Sequence, residues 1–101
     1  MGTDLTITQC TDYKTDEKGR RTWNTTVLCD MRSTHQFVNE INWSLANGLE
    51  CCASYSISGK KLWECANDVE NVEEREYVLN ELKKAEIIND EEEWYEINVS
   101  W

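Results

Sequence analysis

Leu49-Glu-Cys-Cys-Ala-Ser-Tyr-Ser-Ile57, then Ser58-Gly59-Lys60, then Lys61-Leu-Trp-Glu-Cys65, is the stretch on which the fold turns. Leu49, Cys51, Ala53, Tyr55 and Ile57 fall on one face of an extended chain, with Cys52, Ser54 and Ser56 opposite. That alternation predicts a half-buried strand. Ser58-Gly59-Lys60 has the composition of a turn. Lys61–Cys65 then reads as a return strand with Trp63 and Cys65 inward. The segment is expected to be a β-hairpin in the middle of the chain.

Each side of it repeats the same grammar. Upstream, residues 4–11 alternate and are rich in Thr, and residues 22–31 alternate with Trp23, Thr25, Val27, Cys29 and Met31 on one face. The cluster Thr15-Asp16-Glu17-Lys18-Gly19 joins them as a turn, giving an N-terminal hairpin with a charged loop. Ser33 has Gln36 three residues on, the spacing of a capping box, and Phe37, Val38, Ile41 and Leu45 form the stripe of a helix. Asn47-Gly48 is expected to end it. Downstream, Asn71 suits an N-cap, Glu73 and Glu74 complement the helix dipole, and Val72, Val78, Leu79, Leu82 and Ala85 stripe a helix over about 72–88. Residues 93–101 alternate as a last strand.

The order predicted is ββαββαβ. The fold class is α+β: a five-stranded, mainly antiparallel sheet with two helices on one face, in a single domain spanning 1–101. Segments two to seven spell the order of ferredoxin-like folds, so a variant of that topology is an alternative. The first strand competes with it, because there the strand before the first helix is central.

Charge is the most informative feature. The chain has 101 residues, 20 Asp+Glu against 10 Lys+Arg, and a formal net charge of −10. Up to Trp63 the acids Asp4, Asp12, Asp16, Glu17, Asp30, Glu40 and Glu50 are balanced by as many bases. The whole imbalance sits beyond it. Glu70, Glu73, Glu74, Glu76 and Glu81 crowd one helix with few cations at i+3 or i+4, and Asp90-Glu91-Glu92-Glu93 runs directly into Trp94-Tyr95-Glu96. Self-repulsion of this kind costs stability. These twelve residues are the candidate partner-binding set. Carboxylates on rigid elements would stand where phosphates lie, and Trp94, Tyr95 and Trp43 would supply a desolvated anchor. The plain alternative is a solvated acidic surface that keeps the protein soluble.

A protein this acidic does not hold nucleic acid by its own electrostatics. No apolar run approaches a membrane span, and no signal peptide is visible. Cys10, Cys29, Cys51, Cys52 and Cys65 are odd in number and lack C-x-x-C spacing, which favours buried thiols in a reducing cytoplasm over disulfides or zinc. Sequons at Asn24, Asn42 and Asn98 and the Met1-Gly2…Thr6 pattern are short enough to arise by accident. One histidine, His35, and no G-x-S-x-G, P-loop, G-x-G-x-x-G or H-E-x-x-H point away from an enzyme. No catalytic residue, metal site or cofactor is expected.

In size and charge the chain resembles the small acidic inhibitors of phages and mobile elements, among them anti-CRISPR and anti-restriction proteins, several of which mimic DNA. It is also similar to the immunity proteins that neutralise nuclease toxins. The resemblance implies a cytoplasmic inhibitor of a basic nucleic-acid-handling protein, a nuclease or a defence complex, and carries no residue across. Reversing Glu73, Glu76, Glu92 and Glu93 to Lys is then expected to weaken binding with the fold intact. The alternative function is a non-mimicking interaction or regulatory module that uses an aromatic surface, such as Trp23, Trp43 and Trp101, or a strand edge.

Overall fold

The computed structural model describes residues 3–45 and 54–100. Thr-rich alternation carries Asp4–Thr15 (β1) and Arg21–Met31 (β2) into an antiparallel hairpin. Its turn is built by Asp16. That carboxylate accepts from the backbone N–H groups of Lys18 and Arg20 at 2.9 and 2.7 Å and pairs with the Arg20 guanidinium at 3.0 Å. Gly19 closes the turn at φ +80°, a conformation that glycine adopts without steric cost.

The expected first helix is His35–Ser44 (α1), followed by strand Ser54–Ser58 (β3), helices Gly59–Asn67 (α2) and Val72–Lys84 (α3), and strand Trp94–Ser100 (β4). Among the described residues four strands form one antiparallel sheet in the order β2-β1-β4-β3. The class is α+β, as the alternation and helical stripes required.

The return strand expected over Lys61–Cys65 is instead the middle of α2, which raises the helix count from two to three. Leu62, Cys65, Ala66 and Val69 are all buried and recur at i, i+3, i+4 and i+7, the helical period. Ser58 is an N-cap, its hydroxyl accepting from the Lys61 N–H at 3.2 Å. The residues read as a turn are therefore a helix start. Gly59 is needed there because a methyl group would overlap the Ile88 carbonyl oxygen. The ferredoxin-like alternative also fails among the described residues. The strand before α1 lies at the side of the sheet, and β1 takes the inner place beside β4.

One face of the sheet supplies Leu5, Ile7, Cys29, Met31, Ile57, Tyr95, Ile97 and Val99 to the core. The helices cover it with Phe37, Val38, Ile41, Leu62, Cys65, Ala66, Val78 and Leu82. All three helices thus sit on one face, and Thr6, Thr8, Glu96, Asn98 and Ser56 line the other.

The hairpin outruns this body. β4 pairs with β1 only over Asp4–Thr8, so residues 9–27 project as a two-stranded arm and the molecule extends to 51 Å against 25 and 24 Å across. The face expected for Trp23, Thr25 and Val27 is corrected here. Cys29 lies opposite Ile7 but Val27 lies opposite Thr8, so β2 carries one extra residue, Leu28. Such a bulge turns every residue beyond it to the other side of the sheet. Cys29 and Met31 are buried while Val27 is 62% exposed.

The expected helix ends also shift. α1 stops at Ser44, whose hydroxyl donates back to the Ile41 carbonyl at 2.7 Å, and Leu45 is already extended. α3 ends at Lys84 because Glu86 takes φ +57°. The Glu86 and Ile87 N–H groups then bond the carbonyls of Lys83 and Leu82 at 3.1 Å each, closing a Schellman motif. Asn47-Gly48, Cys51, Cys52, the start of the strand expected from Leu49, Trp101 and Met1-Gly2 lie outside the described residues.

Candidate protein-binding surface

The twelve acidic and aromatic candidates do not form one surface. Glu74 is committed to the fold. Thr34, the N-cap of α1, spends its hydroxyl on the Thr3 carbonyl at 3.3 Å and makes no cap of its own. The Glu74 carboxylate takes its place and accepts from the Phe37 N–H at 2.7 Å. Gln36, expected to reach back to its own helix start, accepts instead from the Asn71 N–H at 2.7 Å. Asn71 in turn caps α3 by accepting from the Glu74 N–H at 2.9 Å. The two helix starts are stitched to each other, and Ser33 stands aside at φ +57°.

Glu81 is also internal in purpose. It lies 3.8 Å from Lys84, and it accepts from the Cys29 thiol at 3.8 Å. Tyr95 is a core residue, 4% exposed, whose hydroxyl accepts from the Ile88 N–H at 3.0 Å. The aromatic pair Trp94-Tyr95 is split, since neighbours on a strand point to opposite faces. Trp94 (59% exposed) and Glu96 share the parity of the helix-free face.

Glu70, Glu73, Glu76, Asp90, Glu91 and Glu92 remain exposed, with Glu93 half-buried. They occupy two places. Asp90–Glu93 folds over the start of α2. There the Gly59 and Lys60 N–H groups donate to the carbonyls of Glu93 and Asp90, and the Lys60 ammonium lies 3.8 Å from Glu91. Glu73 and Glu76 lie in the first half of α3, whose last turn carries Lys83 and Lys84. Glu73, in the first turn, complements the helix dipole and so has a stabilising role without any partner, whereas Glu76 stands beyond the turn over which that effect acts.

α2 is charged the opposite way. Lys60 and Lys61 occupy its first turn and Asp68 is its C-cap, with no base in the last turn. Every one of those charges opposes the macrodipole. Its C-terminus meets the second half of α1, also without a base in its last turn. Here stands Trp43, 84% exposed. Two hollows flank it, of about 230 and 200 Å³. Glu40 and Glu70 line the first with Gln36 and Asn39. Glu40, Glu64 and Asp68 line the second with Lys61, Ser44 and Cys65. Only Glu70 of this group belonged to the expected set. Glu64 and Asp68 are four residues apart on α2 and its C-cap, and their legible signal was the reversed charge order of residues 60–68 once read as a helix; Glu40, on α1, joins them only in the tertiary structure.

Four carboxylates thus lie around an exposed indole at two helix C-termini, with Glu64 already 3.8 Å from the Lys61 ammonium. A guanidinium or ammonium would gain from the ring face and from the carboxylates together. Among the described residues no group of three or more His, Cys, Asp or Glu is arranged to hold a metal ion. No helix of the described residues is long and apolar enough to cross a membrane.

Comparison with family models, with curated proteins and with solved structures gives no match to this chain.

Proposed function

We propose that this chain is a stoichiometric inhibitor that binds a basic, nucleic-acid-handling protein, with the acidic hollows around Trp43 as its anchor. The supporting observation is the reversed charge order of α2 beside an indole that is 84% exposed. The helix dipole disfavours that order, and although Lys60 and Lys61 lie 3.8 Å from Glu91 and Glu64, Asp68 has no such ion pair among the described residues, whereas the recognition of Arg and Lys favours it. Cationic side chains that normally hold phosphates would dock over Trp43, between Glu40, Glu64, Asp68 and Glu70. Exposed Glu73, Glu76 and Asp90–Glu92 extend the field and speed encounter. In this reading the carboxylates compete with DNA or RNA for one groove.

The test is capture of partners on the immobilised chain, elution in a salt gradient, and challenge with duplex DNA. The expected result is a basic nuclease or other nucleic-acid-binding protein that leaves at moderate salt, is displaced by the duplex, and is not retained by Trp43→Ala or Asp68→Lys. A partner that survives high salt, ignores DNA and binds both variants overturns the proposal.

A further inference from the structure

A hollow of about 460 Å³ opens where the chain leaving β2 meets the starts of α1 and α3. Several of its side chains have their acceptor atoms committed to the fold and their donors left over. Gln36 Oε1 accepts from the Asn71 N–H at 2.7 Å, which leaves the amide donors of Gln36. Asn71 Oδ1 accepts from the Glu74 N–H at 2.9 Å, which leaves the amide donors of Asn71. A backbone N–H only donates, so both amide orientations are fixed. The Tyr77 hydroxyl accepts from the Arg32 N–H at 3.4 Å and keeps its own hydrogen. Thr3 Oγ1 lies 2.7 Å from His35 Nδ1, which leaves the other ring nitrogen. The Arg32 guanidinium lines the same hollow and makes no ion pair among the described residues.

We propose that this hollow binds a small zwitterion of the free amino acid class, its carboxylate on Arg32 and its ammonium on Glu73. A guanidinium presents a planar fork that matches a carboxylate through two parallel hydrogen bonds. The leftover donors of Gln36, Asn71 and Tyr77 line the hollow with it and suit the same end of the ligand. Glu73 is exposed, lines the hollow and has no ion pair among the described residues. Glu74 spends one carboxylate oxygen on the Phe37 N–H at 2.7 Å and has a second to offer an ammonium group.

Charge decides the class of ligand. Phosphate or another simple anion would meet Glu73 and Glu74 as well as Arg32. A metal ion would meet the Arg32 guanidinium, and no group of three or more metal ligands is assembled among the described residues. A molecule that carries both charges meets an opposite charge at each end. Side chains, not helix ends, do the holding, because the Phe37, Asn71 and Glu74 N–H groups at the two helix starts are already bonded to Glu74, Gln36 and Asn71. The volume falls within the range of about 300–1,000 Å³ common to small-molecule sites. The hollow shares Gln36 with the one beside Trp43 but none of the four carboxylates proposed to hold a partner, so the two readings stand or fall separately.

Magnetic resonance of the isotope-labelled full chain tests it, with L-alanine and L-glutamine as probes. The expected result is saturable shifts in the amides of residues 32–36 and 71–77, with a Kd of about 1 mM for so small a ligand. Propionate, which lacks the ammonium, and ethylamine, which lacks the carboxylate, are expected to bind about tenfold more weakly or worse. Arg32→Met and Glu73→Gln are each expected to weaken amino acid binding by about tenfold or more, with unchanged circular dichroism, because neither side chain is bonded to the described fold. No saturable shift with either amino acid up to about 20 mM overturns the proposal. So does propionate or inorganic phosphate that binds as tightly as the amino acids, binding indifferent to both variants, or shifts confined to residues outside the hollow.

Discussion

Cys29 shows how a single buried atom sets a pH limit. Burial pushes its thiol up to about 11, helped by the charge and hydrogen bond of Glu81 and by the charge of Asp30. Below pH 9 the thiol is protonated in folded and unfolded chains alike, and nothing is lost. Between about 9 and 11 the unfolded chain releases the proton while the folded one keeps it, so unfolding gains. Stability should fall across that window by roughly 2–3 kcal/mol on this account. Urea midpoints at about pH 8 and about pH 11 check it: Cys29→Ala starts less stable but loses less with alkali. Cys65 is raised in the same direction, by burial first. The sequence placed both thiols inward correctly, although Cys65 arrives there on a helix. Tyr95 is the opposite lesson. Its neighbours Glu93, Trp94 and Glu96 made it look like a surface anchor, but its strand parity with Ile97 and Val99 sends it inside.

The helices carry the next set of consequences. Glu74 caps a helix that is not its own, so Glu74→Ala should destabilise by about 1–2 kcal/mol, as loss of an N-cap does, and Glu74→Gln by less, because an acceptor remains. Chemical denaturation of the two variants separates them. Glu86 holds a left-handed conformation that suits glycine, so Glu86→Gly should stabilise by about 1 kcal/mol and raise Tm by about 5 °C. Asp68 sits at the wrong end of α2. Asp68→Lys should stabilise the fold by about 0.5 kcal/mol at low salt, with the gain fading as salt screens the dipole. In the proposed function that same change weakens partner binding, so stability and affinity move in opposite directions. Denaturation and binding curves measured on one variant expose the trade. α3 was legible because its cap, dipole charges and the stripe of Val78, Leu79, Leu82 and Ala85 agree, although Val72, expected in that stripe, is 53% exposed at the helix start. α2 was not, because Trp63 and Cys65 fit a period of two while Leu62, Cys65, Ala66 and Val69 fit 3.6, and five residues are too few to decide.

For the molecule as a whole, a net charge of −10 and a projecting arm are the two distinguishing features. In the proposed function Trp43 reports on the acidic surface: at 84% exposure its loss should leave stability within about 0.5 kcal/mol, while partner affinity falls and its steep salt dependence flattens little. Thermal melts and titrations at several salt concentrations measure the two effects separately. The acidic surface was visible in the sequence as an amount of charge, and its arrangement was not. Glu74 and Glu81 were drawn into the fold, Glu96 and Trp94 fell on the helix-free face, and Glu40, Glu64 and Asp68 converged on Trp43 from two helices.

By itself the sequence determined the class of fold, the places of β1, β2, α1, α3 and β4, the inward thiols and the acidity of the last third. Those properties follow from local periodicity, capping chemistry and composition, which act within a few residues. Tertiary structure alone decided that residues 59–67 form a helix, that one extra residue in β2 turns the arm over, and that Glu74 caps α1. Each depends on groups distant in the chain: the Ile88 carbonyl above Gly59, Thr8 opposite Val27, the bare Phe37 N–H facing α3. Packing chose among local conformations of similar energy, and it did so through contacts that no window of neighbouring residues contains.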